Sequence, residues 1–410
     1  MRRGDAFIRD PAFVDGSPSN RSRQVITRWR YNSPYMTAAL PPPIWVATPE
    51  ALLCLVEELR RQPRLAVDTE ANSLHAYREQ VCLIQFSTPD RDYLLDPLAL
   101  PDLSALAPIF SNPNIEKVFH AAEYDLIGLR RDFGLEVCSI FDTMQAARLL
   151  GYRQVGLEAM LTARFACHTD KRYQRVDWAR RPLLPEWLDY ARRDTHYLLP
   201  LRESLWEELK ACGREALARE EFARLARGKN SSPSSLPLWQ RLPGARHLDE
   251  RHLAILKELC LWREREAQRL NRPCFKVVGE KTLVDLARLA PQTRRELENA
   301  GLTDRQIHCF GEGILQAVQR GRAGPPLPHL RPKRPDPAYV LRLERLRRWR
   351  QSVGQQLGID SDLILPREFL YAIVECPPQS LEELSQRMPD SPWRLEHFGQ
   401  DILRLVRTAP

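Results

Sequence analysis

Two acidic residues that directly follow a short apolar strand constrain the fold of this chain more than any other feature. Leu65-Ala-Val67 predicts a buried strand, and Asp68 and Glu70 come immediately after it. Side chains alternate between the two faces of a strand, so acids at positions i and i+2 point the same way. Open α/β sheets bind ligands at the carboxyl ends of their strands, where this pair would lie. The same pair is also common where a strand simply runs out into solvent.

The segment around this pair is predicted to alternate strands and helices. Strands joined first by hairpins and then by helices indicate a mixed sheet flanked by helices, and hence an α/β domain. After the last strand the segment is mainly helical to about residue 210. The predicted strands are 65–67, 81–86, 93–95, 117–119 and 140–141, and the predicted helices include 49–61, 103–110 and one that opens near 121.

Two further acids and a tyrosine complete a pattern that suits phosphodiester chemistry. Asp125 follows the predicted strand 117–119, and Asp194 lies four residues after Tyr190 on the same face of a helix. A phosphodiester is anionic, so clustered acids help only when divalent cations lie between them and the phosphate. Two such ions about 4 Å apart stabilise both the attacking and the leaving oxygen of an in-line displacement. Tyr190 would then orient a water molecule or take its proton.

Each of these two elements also has a purely structural interpretation. An acid in the first turn of a helix, such as Asp125, is favoured by the helix dipole alone. A Tyr-x-x-x-Asp pair is common on helix surfaces. The combination of four acids and Tyr190 nevertheless predicts a metal-dependent nuclease.

The second half of the chain is predicted to be helical and repetitive. A polar linker at 228–237 separates it from the α/β domain. Three short segments recur 87 or 88 residues later, which indicates two helical domains of roughly 80 residues. The recurring pairs are Trp262-Arg263 with Trp349-Arg350, 291–297 with 378–384, and Phe310-Gly-Glu-Gly-Ile-Leu315 with Phe398-Gly-Gln-Asp-Ile-Leu403.

The charge of the chain indicates a polyanionic partner. The net charge is +8, and residues 320–350 hold ten Lys and Arg against Asp336 and Glu344. A basic stretch of this kind suits contact with nucleic acid phosphates. A solvated helix face beside a proline-rich linker would have the same composition.

Several other function classes are disfavoured. The chain has no run of 18 apolar residues that would predict a membrane span, and no apolar core follows Arg2-Arg3 as in a secretory signal. Residues 1–43 are predicted to form a disordered basic arm, or to reflect an overextended gene start, because Met36 could also initiate. The nine cysteines contain no Cys-x-x-Cys pair, which indicates reduced thiols in the cytoplasm rather than a zinc site. Hard cations held by oxygen are therefore the expected metals.

Taken together, the motifs between residues 45 and 210 resemble those of the DEDD 3′→5′ exonucleases, and among them the ribonuclease D family. Tyr190 indicates the tyrosine subclass, because the histidine subclass would carry His at the position of Asp189. The matching segments are Val67-Asp-Thr-Glu70, Val81-Cys-Leu-Ile-Gln85, Lys117-Val-Phe-His120 with Asp125, Phe141-Asp-Thr143, Asp177-Trp178, Arg181-Pro-Leu183 and Tyr190-Ala-Arg-Arg-Asp-Thr-His-Tyr-Leu-Leu199.

The resemblance implies an α/β ribonuclease H-like exonuclease domain followed by two small all-α HRDC-like domains. The HRDC domain is a helical module found after ribonuclease D catalytic domains and in some helicases, and the second copy here diverges more. The expected divisions are an arm at 1–43, the exonuclease domain at 44–215, a linker at 216–244, the first HRDC domain at 245–322, a Pro/Arg-rich linker at 323–337 and the second HRDC-like domain at 338–410.

The resemblance also implies roles for the acids. Asp68, Glu70, Asp125 and Asp194 would hold two Mg²⁺ or Mn²⁺ ions. Asp68 would bridge the two ions, while Glu70 and Asp194 would complete the site that carries the attacking water. Asp125 would act on the other ion, and Tyr190 would position the nucleophile.

Five further residues are candidates for substrate contact. The family often has a histidine at the position of His120, although a buried histidine that caps a strand–helix turn would serve structure equally well. Four basic residues precede the last motif and are candidates for contact with backbone phosphates, although each also fits a solvated loop: Lys171, Arg172, Arg175 and Arg181.

The expected activity is release of 5′ mononucleotides from a free 3′ end, above all trimming of 3′ trailers from tRNA precursors and other structured RNAs. A 3′→5′ DNA exonuclease is an alternative, because no residue can be shown to read a 2′-hydroxyl. A non-catalytic RNA-binding protein on a nuclease scaffold is a second alternative. We expect RNA with a free 3′ end as the partner of a monomeric cytoplasmic chain, and no membrane or small-molecule cofactor.

Overall fold

The computed structural model describes residues 40–407 except 101, 169–170, 229–235 and 330–335. Residues 1–39 of the predicted arm at 1–43 and residues 330–335 of the linker predicted at 323–337 therefore lie outside the described residues. The described residues form two compact units. Among the described residues, unit 1 contains 40–70, 81–228 and 336–407, and unit 2 contains 71–80 and 236–329.

Unit 1 is built on a six-stranded mixed sheet, as the sequence predicts. The strand order is β1-β4-β3-β2-β5-β6, and β2 lies at the centre between β3 and β5. β2 pairs in parallel with β5, β5 with β6 and β1 with β4, while β3 and β4 are antiparallel. The strands are β1 (Ile44–Val46), β2 (Arg64–Ala71), β3 (Val81–Ser87), β4 (Asp92–Leu95), β5 (Glu116–Phe119) and β6 (Ile140–Asp142).

Helices flank this sheet, and their ends follow local chemistry. Thr48 caps the first helix by accepting a hydrogen bond from the Ala51 amide, and Pro49 occupies its first turn. Strand β1 was not predicted from the sequence. The helices of this part are α1 (Pro49–Arg60), α2 (Ala107–Phe110), α3 (Glu123–Phe133), α4 (Thr143–Leu149), α5 (Leu157–Phe165), α6 (Pro185–His196), α7 (Leu198–Ala211) and α8 (Glu215–Arg227).

The segment predicted as a linker at 216–244 begins with a helix, because residues 216–227 belong to α8. Leu217, Ala218 and Phe222 of this helix are buried in the core of unit 1. The helix was not predicted, because its many charged residues mask a short apolar stripe that is buried partly by distant parts of the chain.

The second HRDC-like domain is part of unit 1 rather than a separate body. Its helices are α15 (Pro337–Leu357), α16 (Ser361–Ile364), α17 (Arg367–Glu375), α18 (Leu381–Arg387) and α19 (Pro392–Arg407). Their apolar residues join one core with those of α4, α5, α7 and α8. Arg394 of α19 is fully buried and donates to Glu220 at 3.1 Å and Glu221 at 2.9 Å, both on α8. Helix α8, which lies in the segment predicted as a linker, therefore packs against the last domain.

Unit 2 is helical and contains the first HRDC domain. Its helices are α9 (Leu238–Arg241), α10 (Glu250–Leu270), α11 (Cys274–Val277), α12 (Glu280–Leu289), α13 (Arg294–Glu298) and α14 (Asp304–Ala323). Residues 71–80, which connect β2 to β3, also belong to this unit. The Tyr77 hydroxyl donates to Glu264 at 2.6 Å, and the Tyr77 amide donates to Asn271 at 3.2 Å.

The sequence repeat corresponds to a repeated packing arrangement. Trp262 meets Phe310 edge-on at 6.1 Å between ring centroids, and Trp349 meets Phe398 edge-on at 5.6 Å. The arginine after each tryptophan donates to a backbone carbonyl 15 residues further on: Arg263 to Val278 at 3.1 Å, and Arg350 to Leu365 at 2.8 Å.

No helix among the described residues is long and apolar enough to cross a membrane. All nine cysteines are described, and each is a free thiol.

Candidate active site

Three of the predicted acids meet at one end of the central strand. Asp68 and Glu70 lie on β2, and Asp194 lies on α6, which packs against β3 and β4. Each side chain offers one carboxylate oxygen, and these three oxygens lie within 4.8 Å of one another. Asp194 is buried, while Asp68 and Glu70 are half-buried. The i, i+2 spacing on a strand has therefore produced the shared face that the sequence predicts.

Asp125 is linked to the site through Thr69. It lies in the first turn of α3 and is buried. Its Oδ1 accepts from the Thr69 hydroxyl at 2.5 Å and from the Thr69 amide at 3.1 Å. Thr69 lies between Asp68 and Glu70, so Asp125 is fixed against the same strand without belonging to the group of three.

Tyr190 is one turn before Asp194 on α6, and its hydroxyl hydrogen-bonds the Asp194 carboxylate. Its ring packs against Trp178 at 6.2 Å and Tyr173 at 5.7 Å between centroids. The Gln174 side chain also hydrogen-bonds the phenol. These contacts hold the phenol oxygen at the carboxylates, as expected from the four-residue spacing.

Negative charge is concentrated in this site. Burial raises the pKa of Asp68 well above its ordinary value, and the nearby Asp194 raises it further. Burial and then the charges of Asp68, Asp194 and Asp125 raise the pKa of Glu70. Burial likewise raises the pKa of Asp194 to about 7 and that of Asp125 well above its usual range. The pKa of Tyr190 is raised by burial and by the same carboxylates, so the phenol keeps its proton at neutral pH.

The donor set fits hard divalent cations. Buried carboxylates that repel one another are costly unless a positive charge lies between them. Among the described residues, no ion pair supplies such a charge to any of the four acids. The group of possible ligands consists of carboxylates, and carboxylate oxygens are the ligands that Mg²⁺ and Mn²⁺ prefer.

His120 lies at the turn between β5 and α3, and this turn is held by Asp142. The next residue, Ala121, has φ of 64°, a left-handed conformation that is costly for a residue with a Cβ. Asp142 stabilises it by accepting from the amides of Ala121 at 3.2 Å and Ala122 at 2.8 Å, and it also caps α4. Nδ1 of His120 lies 2.9 Å from the Thr143 hydroxyl.

The four basic candidates separate in the structure. Arg172 and Arg175 are exposed on a short three-ten helix, Lys171–Arg175, whereas the Lys171 side chain lies outside what the structure describes. Arg181, the fourth candidate, is held by contacts within the protein. All five of its N–H donors are used inside the protein, because the guanidinium pairs with both oxygens of Asp96 at 2.6 Å and donates to three backbone carbonyls.

Several residues of the site were not predicted. Thr69 and Gln174 carry no distinctive spacing, and residues 156–159 approach the site only through the tertiary fold. Asp142 matched a family motif, but its role in holding the His120 turn needs the structure. Together these groups enclose a cavity of about 390 Å³. Its lining residues are Asp68, Thr69, Glu70, His120, Gly156, Leu157, Glu158, Ala159, Gln174, Tyr190 and Asp194.

Comparisons with known proteins agree with this geometry. Residues 43–210 match a 3′-5′ exonuclease family model, and residues 252–318 and 341–406 each match the HRDC domain. Ribonuclease D of Granulibacter bethesdensis is 31% identical over 383 residues, covering 89% of this chain and 93% of that protein. The chain belongs to the ribonuclease D family. Ribonuclease D of Gluconacetobacter diazotrophicus is 34% identical over 378 residues, covering 90% of this chain and 94% of its own length.

A solved ribonuclease D extends the match to the fold. The crystal structure of Escherichia coli RNase D, described as an exoribonuclease involved in structured RNA processing, covers 90% of this chain. All of that structure is covered, with a TM-score of 0.65 and 29% identity. The predicted exonuclease fold with HRDC domains and the predicted 3′→5′ exoribonuclease activity are confirmed by this ribonuclease D relationship.

Proposed function

We propose that Asp68, Glu70, Asp125 and Asp194 bind two divalent metal ions, Mg²⁺ or Mn²⁺, and that the site trims RNA precursors one nucleotide at a time. The observation that carries this proposal is the group of three carboxylate oxygens within 4.8 Å of one another, with Tyr190 bonded to one of them. The cations would neutralise the phosphate and stabilise charge on the attacking and leaving oxygens.

The roles of the acids follow from their placement. Asp68 belongs to the group of three and also interacts electrostatically with Asp125, which supports a bridging role. Glu70 and Asp194 complete the group on the side of Tyr190. Asp125 is held through Thr69 and would serve the second ion.

Tyr190 acts as an oriented phenol rather than as a base. Its raised pKa keeps the proton on the oxygen, and that proton is bonded to Asp194. The remaining lone-pair density on the phenol oxygen accepts a hydrogen bond from the attacking water and points the water oxygen at the phosphorus. Water adds to phosphorus, the bond to the 3′ oxygen of the preceding nucleotide breaks, and that oxygen takes up a proton. The products are a 5′ mononucleotide and a shortened RNA with a new 3′ hydroxyl.

The substrate is proposed to be RNA with an unpaired 3′ end, above all the 3′ trailers of tRNA precursors. The E. coli relative is an exoribonuclease involved in structured RNA processing, which supports RNA as the substrate. The HRDC domains and the exposed Arg347 and Arg348 of α15 provide a basic surface for such an RNA. We further propose a monomer that works in the cytoplasm, in keeping with its nine free thiols.

The metal assignment is tested by counting bound ions independently of activity. Titration with Mn²⁺, followed by electron paramagnetic resonance, is expected to give two bound ions for the wild type and one for Asp125→Ala. Asp90→Asn, in an exposed turn, is the matched control and is expected to bind two. Two tightly bound ions in Asp125→Ala would overturn the role of Asp125.

The substrate assignment is tested with 5′-labelled tRNA that carries an unpaired 3′ trailer, beside a DNA strand of the same sequence. Stepwise shortening of the RNA that EDTA abolishes is the expected result. Equal digestion of the DNA would instead favour a DNA exonuclease, and binding of RNA without digestion would favour a non-catalytic scaffold.

A further inference from the structure

His120 has one ring nitrogen, Nε2, with no hydrogen-bond partner among the described residues. The residue lines the cavity together with Asp68, Glu70, Tyr190 and Asp194. The only hydrogen bond of its ring to a described residue is the one between Nδ1 and Thr143. His120 does not belong to the group of possible metal ligands found among the described residues. Its role therefore depends on what Nε2 offers.

The hydrogen bonds of Thr143 fix the tautomer of His120. The Thr143 hydroxyl lies 3.0 Å from the Phe119 carbonyl, which has no proton and can only accept. The single hydroxyl proton is used there, so the hydroxyl oxygen must accept from Nδ1 of His120 at 2.9 Å. Nδ1 therefore carries a hydrogen. Burial lowers the pKa of His120 to about 4, so the ring is neutral and Nε2 carries a lone pair.

A lone pair in this cavity selects one class of ligand group. The non-bridging oxygens of a phosphodiester are ionised and have no proton to donate, so they would repel Nε2. The ribose hydroxyls of an RNA 3′ end can donate. An acceptor on the wall of a cavity lined by carboxylates thus suits the sugar of the terminal nucleotide and not its phosphate.

We propose that Nε2 of His120 accepts a hydrogen bond from a hydroxyl of the 3′-terminal ribose and thereby positions the terminal nucleotide. This inference rests on the proposed function, because it takes the cavity of Asp68, Glu70 and Asp194 as the place where that nucleotide binds. The 2′ and the 3′ hydroxyl share the required chemistry. If the donor is the 2′ hydroxyl, His120 separates RNA from DNA at the first step.

The test compares the wild type with variants of His120 on RNAs that differ only in the sugar of the 3′-terminal nucleotide. Three RNAs that end in ribose, 2′-deoxyribose or 3′-deoxyribose are compared for kcat/KM of first-nucleotide release. Loss of the contacted hydroxyl is expected to slow the wild type by about 3- to 10-fold. His120→Phe, which has no acceptor, should show no further loss on the same substrate. His120→Gln, whose Oε1 reaches a similar position, should restore part of the discrimination.

Thr143 supplies a second set of variants that leaves the cavity wall in place. Thr143→Val removes the acceptor for Nδ1 and is expected to weaken the discrimination between sugars, whereas Thr143→Ser keeps the hydroxyl and should retain it. Circular dichroism and melting curves check the fold of each variant. If His120→Phe instead loses the same factor on all three RNAs, the residue is structural and the proposal is overturned. A wild type that degrades none of the RNAs would refute the proposed function itself.

Discussion

Replacing Asp194 with asparagine is expected to stabilise the metal-free protein while abolishing hydrolysis. Asp194 is buried, and burial raises its pKa from the ordinary 3.8 to about 7. The folded state therefore holds the proton more tightly than the unfolded state does. Asparagine keeps an oxygen that accepts from Tyr190 but has no proton to lose, so the substitution removes this cost.

The size of the effect follows from the linkage between protonation and folding. The proton on Asp194 contributes its full share to the free energy of unfolding of the wild type below pH 3.8. This contribution is lost as the pH rises to about 7. Each pKa unit of difference corresponds to about 1.4 kcal/mol, so the loss amounts to at most roughly 4 kcal/mol at pH 8. For a body the size of unit 1, this corresponds to a Tm difference of about 8 to 16 °C.

Calorimetry in EDTA at about pH 4 and at pH 8 measures this difference. Asp194→Asn and the wild type should melt together at the lower pH and diverge at the higher one, with Asp194→Asn more stable. Added Mg²⁺ should raise the Tm of the wild type more than that of the variant, which lacks one ligand of one ion site. Asp90→Asn, in an exposed turn, should follow the wild type at both pH values. An Asp194→Asn protein that is less stable than the wild type at pH 8 would refute the charge argument.

Three further substitutions test other parts of the structure. Tyr190→Phe keeps the ring packing and should lower kcat by about 10²- to 10⁴-fold in a single-turnover assay, with Mn²⁺ binding unchanged. Arg394→Met leaves the buried Glu220 without a cation, whereas Glu221 keeps Arg224, and should cost about 3–5 kcal/mol in urea unfolding of unit 1. Tyr77→Phe removes a hydrogen bond to Glu264 and should speed limited proteolysis within residues 71–80, with a loss of about 0.5–1.5 kcal/mol in unit 2.

Each of these has a result that would count against it. Unchanged kcat in Tyr190→Phe would remove the phenol from the reaction. Exposed Arg407, on the same helix as Arg394, is a matched position whose replacement by methionine should leave unfolding unchanged. Proteolysis of Tyr77→Phe at the wild-type rate would show that the hydroxyl does not hold the segment.

The part of the site that depends on local spacing was predictable from the sequence. Asp68 and Glu70 on a strand, and Tyr190 and Asp194 on a helix, have their relative directions set by backbone geometry alone. The strands of the six-stranded sheet were also predicted from local sequence patterns, apart from β1. Whatever depends on the partner of a side chain was not predictable. A sequence does not show that Arg181 lies beside Asp96, or that Thr69 holds Asp125.

Long-range packing also explains why helix α8 was not predicted. Its apolar residues are buried partly by helices that lie more than 100 residues later in the chain, so no window around 215–227 contains the information. The repeat of Trp262 and Trp349 predicted two similar helical domains, and their packing is indeed the same. It did not predict that the second copy shares a core with the exonuclease domain.

The shared core has a consequence for how the protein is made. The apolar surface of α4, α5, α7 and α8 is completed by residues 346–406, which leave the ribosome only after the intervening 230–334. At about 5–20 residues per second, those 105 residues take roughly 5 to 20 s to synthesise. During that interval the nascent exonuclease domain exposes the face that residues 346–406 cover in the folded protein. A nascent chain that stops before residue 335 thus keeps this face open to chaperones and proteases, and full-length synthesis becomes a condition for a stable nuclease.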